Sequence, residues 1–190
     1  TISKWQINKC NEIAKKEKLD NIKVVEGDFC KMDFENESQD GIWAIESICH
    51  SKDRLNALKE ACRVLKKGKK MVITDGFVKV DPSKQGRIFQ KLYKILCEGW
   101  SLPNLANINV FKSQLTKVGF NIKEQNDLSW KIAPSVVHSP FVILKYSFCN
   151  FIKNKPINKE SKQNLKASFV AFFVGIQRNK FSYYQIVVEK

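Results

Sequence analysis

Apolar residues Ile7, Cys10, Ile13 and Ala14 recur at the spacing of one helix face across residues 3–19, and Ser3 stands where an N-cap is wanted. The spacing predicts an amphipathic helix. Residues 21–26 (NIKVVE) read as a short strand, and the apolar run 41–45, bounded by acidic and polar residues, reads as a buried parallel strand. Residues 53–65 are again helical, with Leu55, Leu58, Ala61, Cys62 and Leu65 on one face. After a turn at 66–68 comes a further strand over 69–74. Strand, helix and strand at this rhythm predict βαβ units and a parallel sheet.

Beyond Phe77 the rhythm loosens. A helical stretch over 86–98 precedes a turn around Pro103, and a helix over 110–118 stops at Gly119, a suitable C-cap. Residues 120–124 read as a strand, whereas 135–152 are apolar and aromatic with mixed periodicity and receive no element. A polar loop at 153–158 carries Pro156, a helix spans 159–176, and the alternation of 181–188 (FSYYQIVV) makes a closing strand.

Composition adds bounds. With 190 residues, 43% of them apolar, the chain can bury one core as a single compact α/β unit. It begins with Thr1 rather than Met, which suggests a piece of a longer protein. Its longest apolar runs, 168–176 and 140–144, fall well short of the roughly 20 residues that cross a bilayer. No membrane span is expected. Six cysteines without a CxxC pair fit reduced thiols and a cytoplasmic location. His50 and His138 lie too far apart, and too far from clustered cysteines, to suggest a metal site. The net charge of +14 points toward nucleic acid or an anionic surface. The lysines are scattered, however, and the arginines are only Arg54, Arg63, Arg87 and Arg178. An Arg–aromatic groove for nucleic acid is not discernible.

In open α/β sheets ligands gather beyond the carboxyl ends of the strands. Here those ends are Gly27-Asp28-Phe29, Glu46 through His50, and Asp75-Gly76-Phe77. Asp28 can accept from an adenine amino group with Phe29 or Ile48 packed on the ring, or it can simply hold a turn. Glu46 needs a partner if buried, and can brace backbone amides. His50 suits a general base near neutral pH, or an ordinary loop position. Asp75 can orient that imidazole, or cap the next turn.

The run EGDFCKMDFENESQDGIWAIESICHSKDRLNALKEACRVLKKGKKMVITDGF resembles the middle of class I S-adenosylmethionine-dependent methyltransferases of the sterol, tocopherol, sarcosine or dimethylglycine, and sugar O-methyltransferase type. The shared features are Gly-Asp after a strand, Glu-x-x-x-His after the next, then Arg-Val-Leu-Lys-x-Gly before a strand ending in Asp. The opening TISKWQ and the closing NLKASFVAFFVGIQRNKFSYYQIVVEK resemble other parts of the same fold. The resemblance implies a Rossmann-like methyltransferase sheet, mostly parallel with an antiparallel last strand, and without that fold's N-terminal strand-helix unit. It places the main domain at 1–79 and 105–190, with substrate lids at 80–104 and 129–158.

It implies S-adenosylmethionine as cofactor, with Ile2, Ser3 and Gln6 along ribose and adenine, Asp28 and Phe29 on adenine, and Ala44, Ile45 and Glu46 toward the methionine part. His50 and Asp75 are the implied catalytic residues, acting on a small-molecule methyl acceptor. Some relatives have a second histidine where this chain has Cys49. The lid aromatics Phe89, Tyr93, Trp100, Trp130, Phe141, Tyr146 and Phe148 suit an apolar or aromatic acceptor. The family's Asp/Glu-x-Gly-x-Gly loop does not occur in this sequence. That keeps a noncatalytic binding domain open as an alternative. A nucleic-acid methyltransferase is the other alternative, although Ile45-Glu46-Ser47-Ile48 does not resemble Asp/Asn-Pro-Pro-Tyr. Oligomeric state is not legible.

Overall fold

A computed structural model describes residues 1–154 and 156–190. Helix α1 (Lys4–Lys16) is followed by β1 (Gln39–Ile45), α2 (Arg54–Val64), β2 (Leu65–Val78), α3 (Arg87–Gly99) and β3 (Ala106–Asn107). The chain continues through α4 (Ile108–Lys117), β4 (Asn121–Asp127), α5 (Ala133–Ile152), α6 (Lys159–Ile176) and β5 (Phe181–Glu189). Caps set several boundaries: the Ser3 side chain accepts from Gln6 N, Asp53 from Asn56 N and Asn107 from Asn109 N. Gly119, at φ +104°, takes the left-handed turn that ends α4.

The main sheet runs β1-β2-β5-β4, with β3 beside the end of β2. The sheet is mostly parallel with an antiparallel last strand, as expected. β1 and β3 pair parallel to β2, while β5 lies between β2 and β4 and runs against both. One reversed strand in an interior position therefore makes two antiparallel pairings.

Alternation along β2 sorts its side chains onto two faces. Met71, Ile73 and Phe77 join Ala44, Ile186 and Val188 under Leu58 and Ala61 of α2 and Phe111 and Leu115 of α4, forming the main core. On the other face, Val78 and Phe181 pack with Phe89 and Leu96 of α3 and Val170 and Val174 of α6. Trp43 and Ile45 alternate with buried Ala44 and remain exposed, Trp43 at 82%.

Two expectations are corrected. Residues 21–26 form no strand: Ile22 and Val25 are exposed, and the segment lies against the chain start, where Thr1 N donates to Val25 O and, just beyond the segment, Gly27 N donates to Thr1 O. Extended backbone becomes a strand only beside a ladder partner, and no strand lies there among the described residues. Residues 135–152, whose pattern predicts no element, lie within the 20-residue helix α5. Their periodicity is mixed because apolar residues occupy both the side facing α6 and the outer side, and Pro140 inside the helix is a residue that argues against helix in the sequence. Among the described residues no helix is long and apolar enough to cross a membrane.

Candidate active site

At the end of β1 the chain turns sharply. Glu46 has φ +45°, its N–H reaches Thr74 O at 2.8 Å, and its Oε1 accepts from the Tyr183 hydroxyl at 2.8 Å. A non-glycine residue in the left-handed region carries local strain, which these two bonds offset. A single 3-10 turn, Ile48–His50, follows. Its Cys49 N–H donates to Asp75 Oδ2 at 2.9 Å, and Gly76 N–H donates to Asp75 Oδ1 at 2.9 Å. Asp75 thus binds the turn to the end of β2.

Burial governs proton affinity here. Asp75 is 3% exposed, and loss of solvent pushes its carboxyl above the usual aspartate range even though two amides favour the charged form. Burial, then the negative charge of Asp75, raises the Cys49 thiol, which disfavours the thiolate that a nucleophile needs. Burial, then Glu46, also raises the Tyr183 hydroxyl, which keeps it a donor to Glu46. Arg54 straps the turn to the loop after α3: Nη1 donates to Asn104 Oδ1 at 2.7 Å, and Nη2 donates to Asn104 O and to Cys49 O. The Tyr93 hydroxyl, pushed up to about 12 by burial, accepts from Leu105 N at 2.8 Å in the same loop.

These residues floor a cavity of about 840 Å³. Glu46, Cys49, His50, Asp75, Gly76 and Phe77 lie at the strand ends, with Ser182 and Tyr183 beside them on β5. The walls are Leu96, Trp100, Leu102 and Leu105, then Trp130, Ala133 and Val136, then Ala171, Phe172 and Val174 from α6. At the mouth the Arg178 guanidinium stacks 4.4 Å from the Trp130 ring. Among the described residues, Ser182 Oγ is buried with no hydrogen-bond partner.

The expected catalytic residues, His50 and Asp75, share this cavity with Glu46. His50 is exposed, and no hydrogen bond joins it to Asp75 among the described residues, because Asp75 faces the two backbone amides. Ile2, Ser3, Gln6, Asp28 and Phe29 form a neighbouring edge outside the cavity. Thr1 holds residues 25–27 against the start of α1, and Asp28 Oδ1 accepts from Cys30 N at 2.8 Å. Cys30 Sγ then lies 3.4 Å from Ser51 Oγ, while Asn56 Nδ2 donates to Cys30 O at 2.8 Å, which ties that edge to the start of α2 beside His50. Ser3 Oγ is engaged as the α1 cap. Ala44 is buried in β1 and Ile45 exposed.

Of the lid aromatics expected to meet an acceptor, only Trp100 and Trp130 line the cavity. Phe89 and Tyr93 stack on Phe181 in the second core, and Phe141, Tyr146 and Phe148 face outward on α5. Sequence reasoning passed over Tyr183 and Ser182. The signal was available, because an antiparallel last strand brings its first residues to the carboxyl end of β2.

A raised folded-state pKa means that Asp75 binds its proton more tightly folded than unfolded. Its contribution to stability is therefore complete below the ordinary aspartate value and is lost as pH rises through the raised one. Thermal melts between about pH 4 and 7 are expected to show wild type losing stability relative to Asp75→Asn as pH increases. A gap that stays constant with pH would contradict this.

The sequence pattern of the family described as "Methyltransferase domain" matches residues 1–73. The chain is 33% identical over 131 residues to the sterol 24-C-methyltransferase of Kluyveromyces lactis, covering 66% of this chain and 34% of that one. It is 32% identical over 105 residues to the sarcosine/dimethylglycine N-methyltransferase of Aphanothece halophytica, covering 55% and 36%. It thus spans about a third of the length of these curated relatives. A Galdieria sulphuraria structure assigned as a sarcosine dimethylglycine methyltransferase superposes with a TM-score of 0.82 at 20% identity, over 100% of this chain and 67% of the other. The phosphoethanolamine N-methyltransferase 2 of Haemonchus contortus, solved with S-adenosyl-L-methionine, gives 0.72 at 19% identity over 94% and 39%.

Proposed function

We propose that the chain is part of a class I S-adenosylmethionine-dependent methyltransferase of the small-molecule type, one that transfers a methyl group to a small apolar or aromatic acceptor; the match of residues 1–73 to the methyltransferase family, the sterol 24-C-methyltransferase relative and the shared fold support this reading. The observation that carries this reading is the cavity, whose walls are apolar while Glu46, His50, Asp75 and Tyr183 gather on its floor. Sterol and sarcosine appear in the relatives' names. An apolar ring system suits these walls better than a small zwitterion, which would need charged partners on every side.

The adenosine part of the cofactor fits the edge beside the cavity. Asp28 uses one carboxylate oxygen on Cys30 N–H and has the other for an amino hydrogen, and Phe29 and Ile2 offer exposed apolar surface, with Ser3 and Gln6 alongside. Glu46 on the cavity floor, with the backbone at Ala44 and Ile45 before it, would meet the methionine part. Bound there, S-adenosylmethionine supplies a methyl group activated for in-line displacement.

The chain's own residues do the rest. The lids at 80–104 and 129–158, together with the inner side of α6, close the walls and exclude water, while position and orientation supply most of the rate. His50 takes the acceptor's proton where the acceptor has one to lose. Asp75 holds the turn that presents His50, through Cys49 N–H. The Tyr183 bond fixes the Glu46 carboxylate at the junction.

The test is transfer of labelled methyl from S-adenosylmethionine by the full-length protein to a panel of sterols, isoprenoid alcohols and sarcosine. Label is expected in an apolar acceptor, and His50→Ala is expected to lower kcat by about a hundredfold or more with cofactor affinity kept. A protein that binds no S-adenosylmethionine in calorimetry would sink the reading.

A further inference from the structure

The outer side of α5 carries Val137, Phe141, Leu144, Phe148, Phe151 and Ile152, which at 3.6 residues per turn fall in one stripe. All six are exposed, Phe151 at 83%, and no residue of α5 is buried. From Val137 to Ile152 the stripe runs about 22 Å. Helix α6 adds exposed Phe169, Phe173 and Ile176 at positions i, i+4 and i+7. Apolar surface of this extent, left open, marks an interaction site.

Charge identifies the occupant. Between Lys145 and Lys166 the sequence holds six lysines and a single acid, Glu160. Lys145, Lys153, Lys159, Lys162 and Lys166 are exposed, and Lys162 and Lys166 precede Phe169 on the same side of α6. A second copy docked stripe to stripe would bring these positive charges together, at a cost. An anionic bilayer complements both features, with acyl chains for the aromatics and headgroup phosphates for the lysines. No described helix can span, so the pair would lie in the interface.

We propose that α5 and α6 dock the protein on an anionic membrane surface. The opposite side of α5, through Val136 and Ser139, lines the cavity, and Ser139 Oγ donates to Ser168 O of α6 at 3.3 Å. Where the methyl-transfer reading also holds, an apolar acceptor passes from bilayer to cavity alongside these helices without crossing bulk water. Docking itself does not depend on that reading.

The test is co-sedimentation of the full-length protein with phosphatidylcholine vesicles, with and without about 30% phosphatidylserine. Binding is expected to the anionic vesicles, about tenfold weaker to neutral ones, and to fall with added salt. Phe148→Ser combined with Phe151→Ser is expected to lower it by about tenfold or more, with the far-UV circular dichroism unchanged because both side chains are exposed. Lys159→Glu combined with Lys162→Glu is expected to remove the preference for anionic lipid. Absence of sedimentation, or binding indifferent to the phenylalanines, would overturn the proposal. So would a soluble dimer that the double Phe variant dissociates.

Discussion

Phe77→Ala is expected to cost about 3–5 kcal/mol, the range for deleting a fully buried aromatic. Phe77 sits where β2, β3 and β5 meet, paired with Ala106 and Ser182, and its ring lies 5.1 Å from that of Phe111 and 6.1 Å from that of Tyr184. Sheet neighbours fix the backbone on both sides, so the void cannot close easily. Against a total stability of about 5–15 kcal/mol for a domain, the variant would be marginal. Urea unfolding measures it, with Phe77→Leu as a milder control. A loss below about 1 kcal/mol would show that the floor of the cavity relaxes freely.

The second large effect belongs to Gly99, at the end of α3. A Cβ built there would lie 2.4 Å from Ala167 Cβ and 2.6 Å from Gln163 O, so α3 and α6 touch through a position with no side chain. Gly99→Ala must push the helices apart, breaking the bond from Trp100 Nε1 to Ser168 Oγ at 3.3 Å and opening the cavity wall. A cost of about 1–3 kcal/mol is expected, visible as a fall in Tm of roughly 5 °C. Adding Ala167→Gly should recover part of it, since one of the two clashes is removed while Gln163 O remains. A Gly99→Ala variant melting with the wild type would refute so close a contact.

The βαβ rhythm from β1 to β2 was legible as an apolar run that pairs parallel, a one-sided helix and then alternation, although the expected burial of the first strand holds for Ala44 and not for Trp43 or Ile45. Residues 21–26 share the composition of a strand, yet pairing is not a property of a segment alone, and no neighbour supplies the ladder. In α5 the helical period was hidden because two apolar sides overlap in sequence, and only the structure separates Val136 from Val137.

At the site, the strand-end rule named Glu46, His50 and Asp75, which line one cavity, and Asp28 and Phe29, which lie outside it. What it did not reveal is that Asp75 faces backbone amides and that Glu46 faces Tyr183, since both depend on turns and on a strand far along the chain. The aromatics of 80–104 and 129–158 showed the limit of composition: Phe89 entered a core and Phe148 faced outward, and nothing local distinguishes either from Trp100.

The interior place of β5 has a kinetic consequence. Of the five described strands it comes last in this chain, yet it joins β2 to β4 across both of its edges. Until it arrives, β2 and β4 have no partner in common, and β2 presents an open apolar edge where Ile73 later meets Ile186. Loop closure between β2 and β5 must precede any gain from that pairing, so formation of the sheet is late and cooperative rather than sequential. A nascent chain stalled before Phe181 would lack Phe181, Ile186 and Val188 from the two cores as well as the pairing that joins the sheet, and would offer chaperones the same edge that β5 conceals in the folded chain.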